Sequence, residues 1–114
     1  MLVRIGAPVG HLHDLIAALP AEIAARARWL LDPPHGMAYA LLSPTGAEDA
    51  AAWLAAVRTL ALSLAGYAVV LSAPEDLSTQ LDDWGVAPDS LALMRGLKAR
   101  WDPAGILNVG AFLV

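Results

Sequence analysis

The chain has 114 residues, of which 58% are hydrophobic and 16% charged, with a net charge of −4 and no cysteine. That length predicts one domain with a single modest core, and the apolar balance excludes disorder. The acidic balance, without any basic run, sets nucleic acid aside as a partner, and the missing thiols exclude disulfides, cysteine nucleophiles and cysteine-based metal sites.

Residues 2–7, LVRIGA, are apolar and β-branched, and Pro8 and Gly10 punctuate them, so a strand is predicted. HLHDLIAAL at 11–19 places Leu12, Leu15, Ile16 and Leu19 at helical spacing, and Pro20 ends the run. His11, His13 and Asp14 stand at the start of this helix. Residues two apart do not share a helical face, so solvated polar side chains are expected there and no metal site. Residues 21–31, AEIAARARWLL, read two ways. Their composition favours helix, whereas the turn DPPHG followed by MAYALLS favours a hairpin with strands near 26–31 and 36–42. The hairpin is our reading, with a helix over 21–29 as its rival.

Thr45 stands three residues before Glu48, the spacing of a capping box, and Glu48 and Asp49 put negative charge in the first helical turn. Trp53, Leu54, Val57, Leu60, Ala61 and Leu64 then recur at threes and fours, predicting a helix to about 65 that Gly66 terminates. YAVVLS at 67–72 is a buried strand. The stretch 50–71 comes nearest to a membrane span, but Arg58 and Gly66 interrupt it. The opening MLVRIGAPVG lacks the apolar region of a signal peptide, so a cytoplasmic location without membrane spans is expected.

The order strand, helix, strand, strand, helix, strand predicts an α+β fold: a ferredoxin-like βαββαβ antiparallel sheet in residues 1–72 with both helices on one face. The other face then needs the C-terminal tail or another domain. Residues 73–88 read as a loop or a broken helical turn. DSLALMRGLKAR at 89–100 is a helix whose acid comes first and whose Arg95, Lys98 and Arg100 lie towards the carbonyl end. Gly96 inside it either permits close packing or is simply tolerated.

In WDPAGILNVG at 101–110, Asp102 and Pro103 suit the start of a short helical turn through Gly105, Ile106 and Leu107. Asn108 and Gly110 tolerate positive φ. Ile106 and Leu107 are expected to bury and Asn108 to stay polar. The segment reads as a rigid clip docked against something, and a purely structural clip satisfies the same observations.

LMRGLKARWDPAGILNVG, residues 93–110, resembles the C-terminal signature of FAD-linked oxidases of the vanillyl-alcohol oxidase type: a helix containing lysine, then Asp-Pro, then Gly-Ile-Leu-Asn-Pro-Gly. The preceding GYAVVL, then AP, then D-x-W-G resembles the small FAD-binding subunit of bacterial glycolate oxidase. The resemblance implies a cap domain in which Lys98, Asp102, Asn108 and Gly110 lie near FAD and none of them is catalytic. It implies a partner, a flavin-binding domain or subunit, that holds most of the cofactor, so the chain alone is not expected to bind FAD tightly. The implied chemistry is oxidation of a small 2-hydroxy acid with electrons passing to the flavin. Val109 stands where the family has proline and lacks the fixed φ of that residue.

Arg4, Arg26, Arg28 and Tyr39 fall on predicted strands, where an arginine fork could hold a substrate carboxylate. His35 is a hairpin-turn residue or, in the functional reading, a histidine facing that pocket. The adjacent pairs Glu75–Asp76 and Asp82–Asp83 read as solvated charges. Trp101, beside the clip, is the best interface anchor. The rival to the flavin reading is a non-enzymatic assembly module, or a homodimer formed across the open sheet face.

Overall fold

The structure, a computed structural model, describes residues 1–110 and 114. Strands β1 (Leu2–Gly6), β2 (Ala27–Asp32), β3 (Met37–Leu42) and β4 (Tyr67–Ser72) form one antiparallel sheet in the order β2-β3-β1-β4. The helices are α1 (Leu12–Ala18), α2 (Ala21–Ala24), α3 (Ala47–Ser63), α4 (Glu75–Ser78) and α5 (Leu91–Trp101). The expected α+β class with an antiparallel sheet is what forms. The hairpin prevails over its rival, and of the helix over 21–29 only the single turn α2 remains. Two prolines and a glycine decide this. Pro33–His35 make one tight turn, and Gly36 follows at φ 65°, where a Cβ would lie 2.3 Å from the Ala7 carbonyl oxygen.

Strand alternation sorts the sheet into two faces. Val3, Ile5, Ala38, Ala40, Leu42 and Ala68 are buried on one of them. Against that face α1 brings Leu12 and Leu15, and α3 brings Ala50, Trp53, Leu54, Val57 and Ala61. The small Ala38, Ala40 and Ala68 of the strands share this core with large helical side chains such as Leu15, Trp53 and Leu54. Trp29 and Trp53 sit with ring centroids 6.2 Å apart. Their indole nitrogens donate to successive carbonyls of α2, Trp29 to Ala24 at 2.8 Å and Trp53 to Ile23 at 3.0 Å. A four-residue helix leaves its last carbonyls short of partners, Ile23 having a long bond from the Arg26 N–H at 3.4 Å, and the two indoles supply closer ones.

Both ends of α3 differ from expectation. No capping box forms between Thr45 and Glu48. The helix starts after Gly46, and the acid that reaches back is Asp49, which accepts from the Thr45 backbone N–H at 2.9 Å. Asp49 also pairs with Arg26 at 2.6 Å, and the Thr45 N–H and Arg26 together hold its carboxyl below the ordinary range. At the other end the left-handed residue is Ala65, at φ 56°, and not Gly66. Gly66 has a different duty: a Cβ there would lie 2.3 Å from the Gly6 carbonyl oxygen.

Helix α5 spans 91–101 where 89–100 was expected, and it buries none of its residues. It lengthens the molecule, whose radius of gyration is 15.4 Å, against about 13 Å for a compact chain of this length. A Cβ at Gly96 would meet nothing within 4 Å, so this glycine is tolerated and does no packing. Two opposite substitutions are therefore expected to stabilise. Ala65→Gly removes a left-handed alanine and should add about 1 kcal/mol to global stability. Gly96→Ala should strengthen α5 by about 1 kcal/mol. Urea unfolding reads the first and amide exchange across residues 91–101 the second; a loss of stability in either would contradict the local geometry.

Candidate functional site

The side chains that carry chemistry gather in two places, the face of the sheet away from the helices and the closing segment after α5. On the sheet, register puts Leu30, Tyr39, Arg4 and Val69 in one row across β2, β3, β1 and β4. Arg28 and Leu41 belong to the next row, beside Leu2. Near β4 this face is partly covered. Arg4, Tyr67, Val69, Trp84, Val86, Pro88 and Met94 line a depression of about 340 Å³. The Arg4 guanidinium lies 5.7 Å from the centroid of the Tyr67 ring, a cation–π distance, and its Nε is shielded from solvent without a hydrogen-bond acceptor among the described residues. A planar anion is the ligand such a guanidinium suits. Near β2 the same face is bare: Leu30 and Leu41 are exposed, and Arg28 and Tyr39 line a shallow apolar depression with them.

The three arginines do not come together as a fork. Arg4 and Arg28 share the open face but stand in different rows on strands separated by β3. Arg26 lies one residue before β2 and turns away to Asp49. Tyr39 is the direct cross-strand neighbour of Arg4 and donates to the Met37 sulfur at 3.6 Å. His35 stays at the hairpin tip, exposed, with Nδ1 2.9 Å from the Asp32 carboxylate. His11 pairs with Asp14 at 3.4 Å, and no group of metal-ligating side chains forms among the described residues.

The loop before α5 holds residues that sequence reasoning had left as solvated. Arg58, a lone cation in the apolar run of α3, donates through Nε to the Ala68 carbonyl at 3.0 Å and through Nη2 to that of Asp82 at 2.6 Å. Burial pulls the guanidinium below its ordinary value while Asp82 and Asp83 oppose the shift. Asp82 and Asp83 are therefore part of the anchor that brings Trp84 and Val86 over the sheet. An arginine inside an apolar helix was the available signal.

The closing segment is built around one carboxylate. Asp102 ends α5 and is buried, at 7% exposure. Its Oδ1 accepts from the Ile106 N–H at 2.9 Å and its Oδ2 from the Leu107 N–H at 3.0 Å. Lys98, one turn earlier, lies 2.6 Å from Oδ2 and also donates to the Leu107 carbonyl. The Lys98 ammonium and the Leu107 and Ile106 amides lower the Asp102 pKa to about 2, against a smaller opposing effect of burial. No helical turn forms after Pro103, so Asp102 closes a loop and does not start a further helix. Asn108 takes φ 50° and Gly110 φ 73°, the left-handed values their residue types allow. Ile106 and Leu107 do not bury: they are 73% and 57% exposed, and Trp101 is 72% exposed beside them. The loop directs its polar atoms inward to Asp102 and Lys98, and its apolar side chains face out. Met94, Leu97, Lys98, Trp101, Asp102, Leu107, Asn108 and Val114 line an open apolar hollow of about 340 Å³.

Compared with protein-family models, with curated proteins and with solved structures, the chain matches none.

Proposed function

We propose that this chain is a cap-like domain of a flavin-dependent oxidoreductase, acting with a flavin-binding domain or subunit on a small 2-hydroxy acid. The observation that carries the reading is the clip at 102–110. Its shape is fixed from inside by Asp102 and Lys98, while Trp101, Ile106, Leu107 and Val109 are presented outward. A loop that is rigid and apolar on its outside suits a partner surface. The strand order, counted from the other edge as β4-β1-β3-β2, together with the helical crossovers, supports the split βαβ plan for the core. A cytoplasmic setting belongs to the same proposal and rests on the absence of cysteine. No helix among the described residues is long and apolar enough to cross a membrane.

The residues fit one flank of a flavin ring system and not its phosphates. The hollow beside Trp101, Leu107 and Asn108 is apolar with one amide, whereas Lys98 is committed to Asp102 and the Leu107 carbonyl. When bound at the partner, the flavin would supply the redox chemistry; this chain would supply a wall, exclude water and offer Arg4 to the substrate carboxylate. Titration of the ¹⁵N-labelled chain with FAD tests this. At millimolar FAD, amide shifts confined to residues 98–110 and the Arg4 row are expected, with no flavin retained through gel filtration. Retained flavin would show that the chain is no mere cap, and an unperturbed clip would remove Asn108 and Gly110 from the cofactor's surroundings. The exposed Leu30 and Leu41 favour a second reading, an assembly domain whose function lies in association.

A further inference from the structure

The two edges of the sheet are finished differently. At the β4 edge, the Val70 N–H donates to the Asp83 carbonyl at 2.8 Å and the Ala68 carbonyl accepts from Arg58, so groups pointing away from the sheet have partners. At the β2 edge no such cover exists among the described residues. β2 pairs with β3 alone, and none of its six residues is buried. Bare edges are normally blunted by a lysine, a proline or a bulge. The β2 sequence ARWLLD has neither residue, and it exposes Leu30 and Leu31 side by side.

We propose that β2 is a homodimerisation edge: it pairs antiparallel with β2 of a second copy about a two-fold axis at Leu30, joining two sheets into one. The register follows from charge. Residues directly opposed in an antiparallel pair share a face, so an axis perpendicular to the sheet must pass through a residue position. Centred on Leu30, each Arg28 stands opposite Asp32 of the second copy, twice by symmetry, around a Leu30–Leu30 contact. On the other face Trp29 meets Leu31, also twice. Arg28 is exposed and engages no acid among the described residues, and Asp32 is partly exposed with His35 beside it. The neighbouring registers are worse. An axis at Arg28 opposes two arginines. An axis at Trp29 sets Arg28 against Leu30 and leaves Asp32 to Arg26, which Asp49 already holds. An axis at Leu31 sets Asp32 against Leu30. One short strand is thus complementary to itself in a single register, the arrangement an isologous interface requires. This inference is independent of the flavin reading, and it uses the sheet edge, not the open face.

Sedimentation velocity of the 114-residue chain over a concentration series tests it, with circular dichroism to confirm that each variant is folded. The wild-type chain is expected to form a concentration-dependent dimer. Arg28→Asp and Asp32→Arg should each weaken association on the order of tenfold or more, and the double variant should restore it. Leu41→Lys, on β3 within the face, should leave the dimer intact. A monomer at every concentration up to millimolar would overturn the proposal. So would a dimer indifferent to both single reversals, a double variant that fails to recover, or a dimer lost with Leu41→Lys, which would point to stacking across the face.

Discussion

Replacing Trp53 by alanine is expected to remove about 3–5 kcal/mol of stability, the largest loss of any single truncation in this fold. Trp53 is wholly buried, and it is the largest fully buried side chain. Its loss would leave a cavity between α3 and the sheet that the small strand residues Ala38 and Ala40 cannot fill. It would also leave the Ile23 carbonyl with only the longer bond from the Arg26 N–H among the described residues, 3.4 Å against 3.0 Å, and remove the ring against which Trp29 rests. Three elements, α2, α3 and β2, therefore feel one substitution. A domain of this size holds about 5–15 kcal/mol in total, so the variant should be partly unfolded at room temperature or melt far below the parent. Trp53→Phe separates the contributions. It keeps most of the ring, loses the bond to Ile23, and should cost about 1–2 kcal/mol. Urea unfolding followed by circular dichroism gives both values. A Trp53→Ala cost under about 1 kcal/mol would mean that α3 does not pack as described.

The strands were legible because their signal is local. Alternation of Val3 with Ile5, and of Ala38, Ala40 and Leu42, needs no knowledge of the rest of the chain. The end of α3 was half legible: a stop near Gly66 follows from residue type. Which residue turns left-handed depended on how closely Gly66 approaches Gly6 across the sheet. The start of α3 failed for a similar reason. Thr45, Glu48 and Asp49 offer several ways to cap one helix, and the choice fell to Asp49, which also binds Arg26, 23 residues away in sequence. The same contact explains the missing arginine fork. Had β2 begun one residue earlier, Arg26 would share a face with Arg28; ending the strand at Ala27 frees it to turn to α3. At the clip, positive φ at Asn108 and Gly110 could be read from residue type. The outward aim of Ile106 and Leu107 could not, because side-chain direction depends on what Asp102 holds.

Loosening of the clip without loss of the fold is the expected result of neutralising Asp102. One carboxylate binds two amides and an ammonium, and no residue of α5 is tied into the core, so the clip can open while the sheet and α3 stay intact. Asp102→Asn keeps the size but turns one oxygen into an amide nitrogen, which cannot accept from an N–H. One of Ile106 and Leu107 then loses its acceptor, and Lys98 loses its counter-charge. Amide protection at residues 106 and 107 should fall on the order of tenfold, while protection in β1 and β3 is unchanged. The pH dependence follows from the same contacts. Asp102 has its folded pKa lowered from 3.8 to about 2, so its contribution is complete above the ordinary value and is lost as pH falls through the folded one. The Ile106 and Leu107 amide resonances should therefore hold their positions from neutral pH to about 4 and move between there and about 2. Lys98→Met removes the largest cause of the lowered pKa, so the same movement should begin at higher pH. A clip that stays protected in Asp102→Asn would mean that the left-handed pair Asn108 and Gly110, and not the carboxylate, sets its shape.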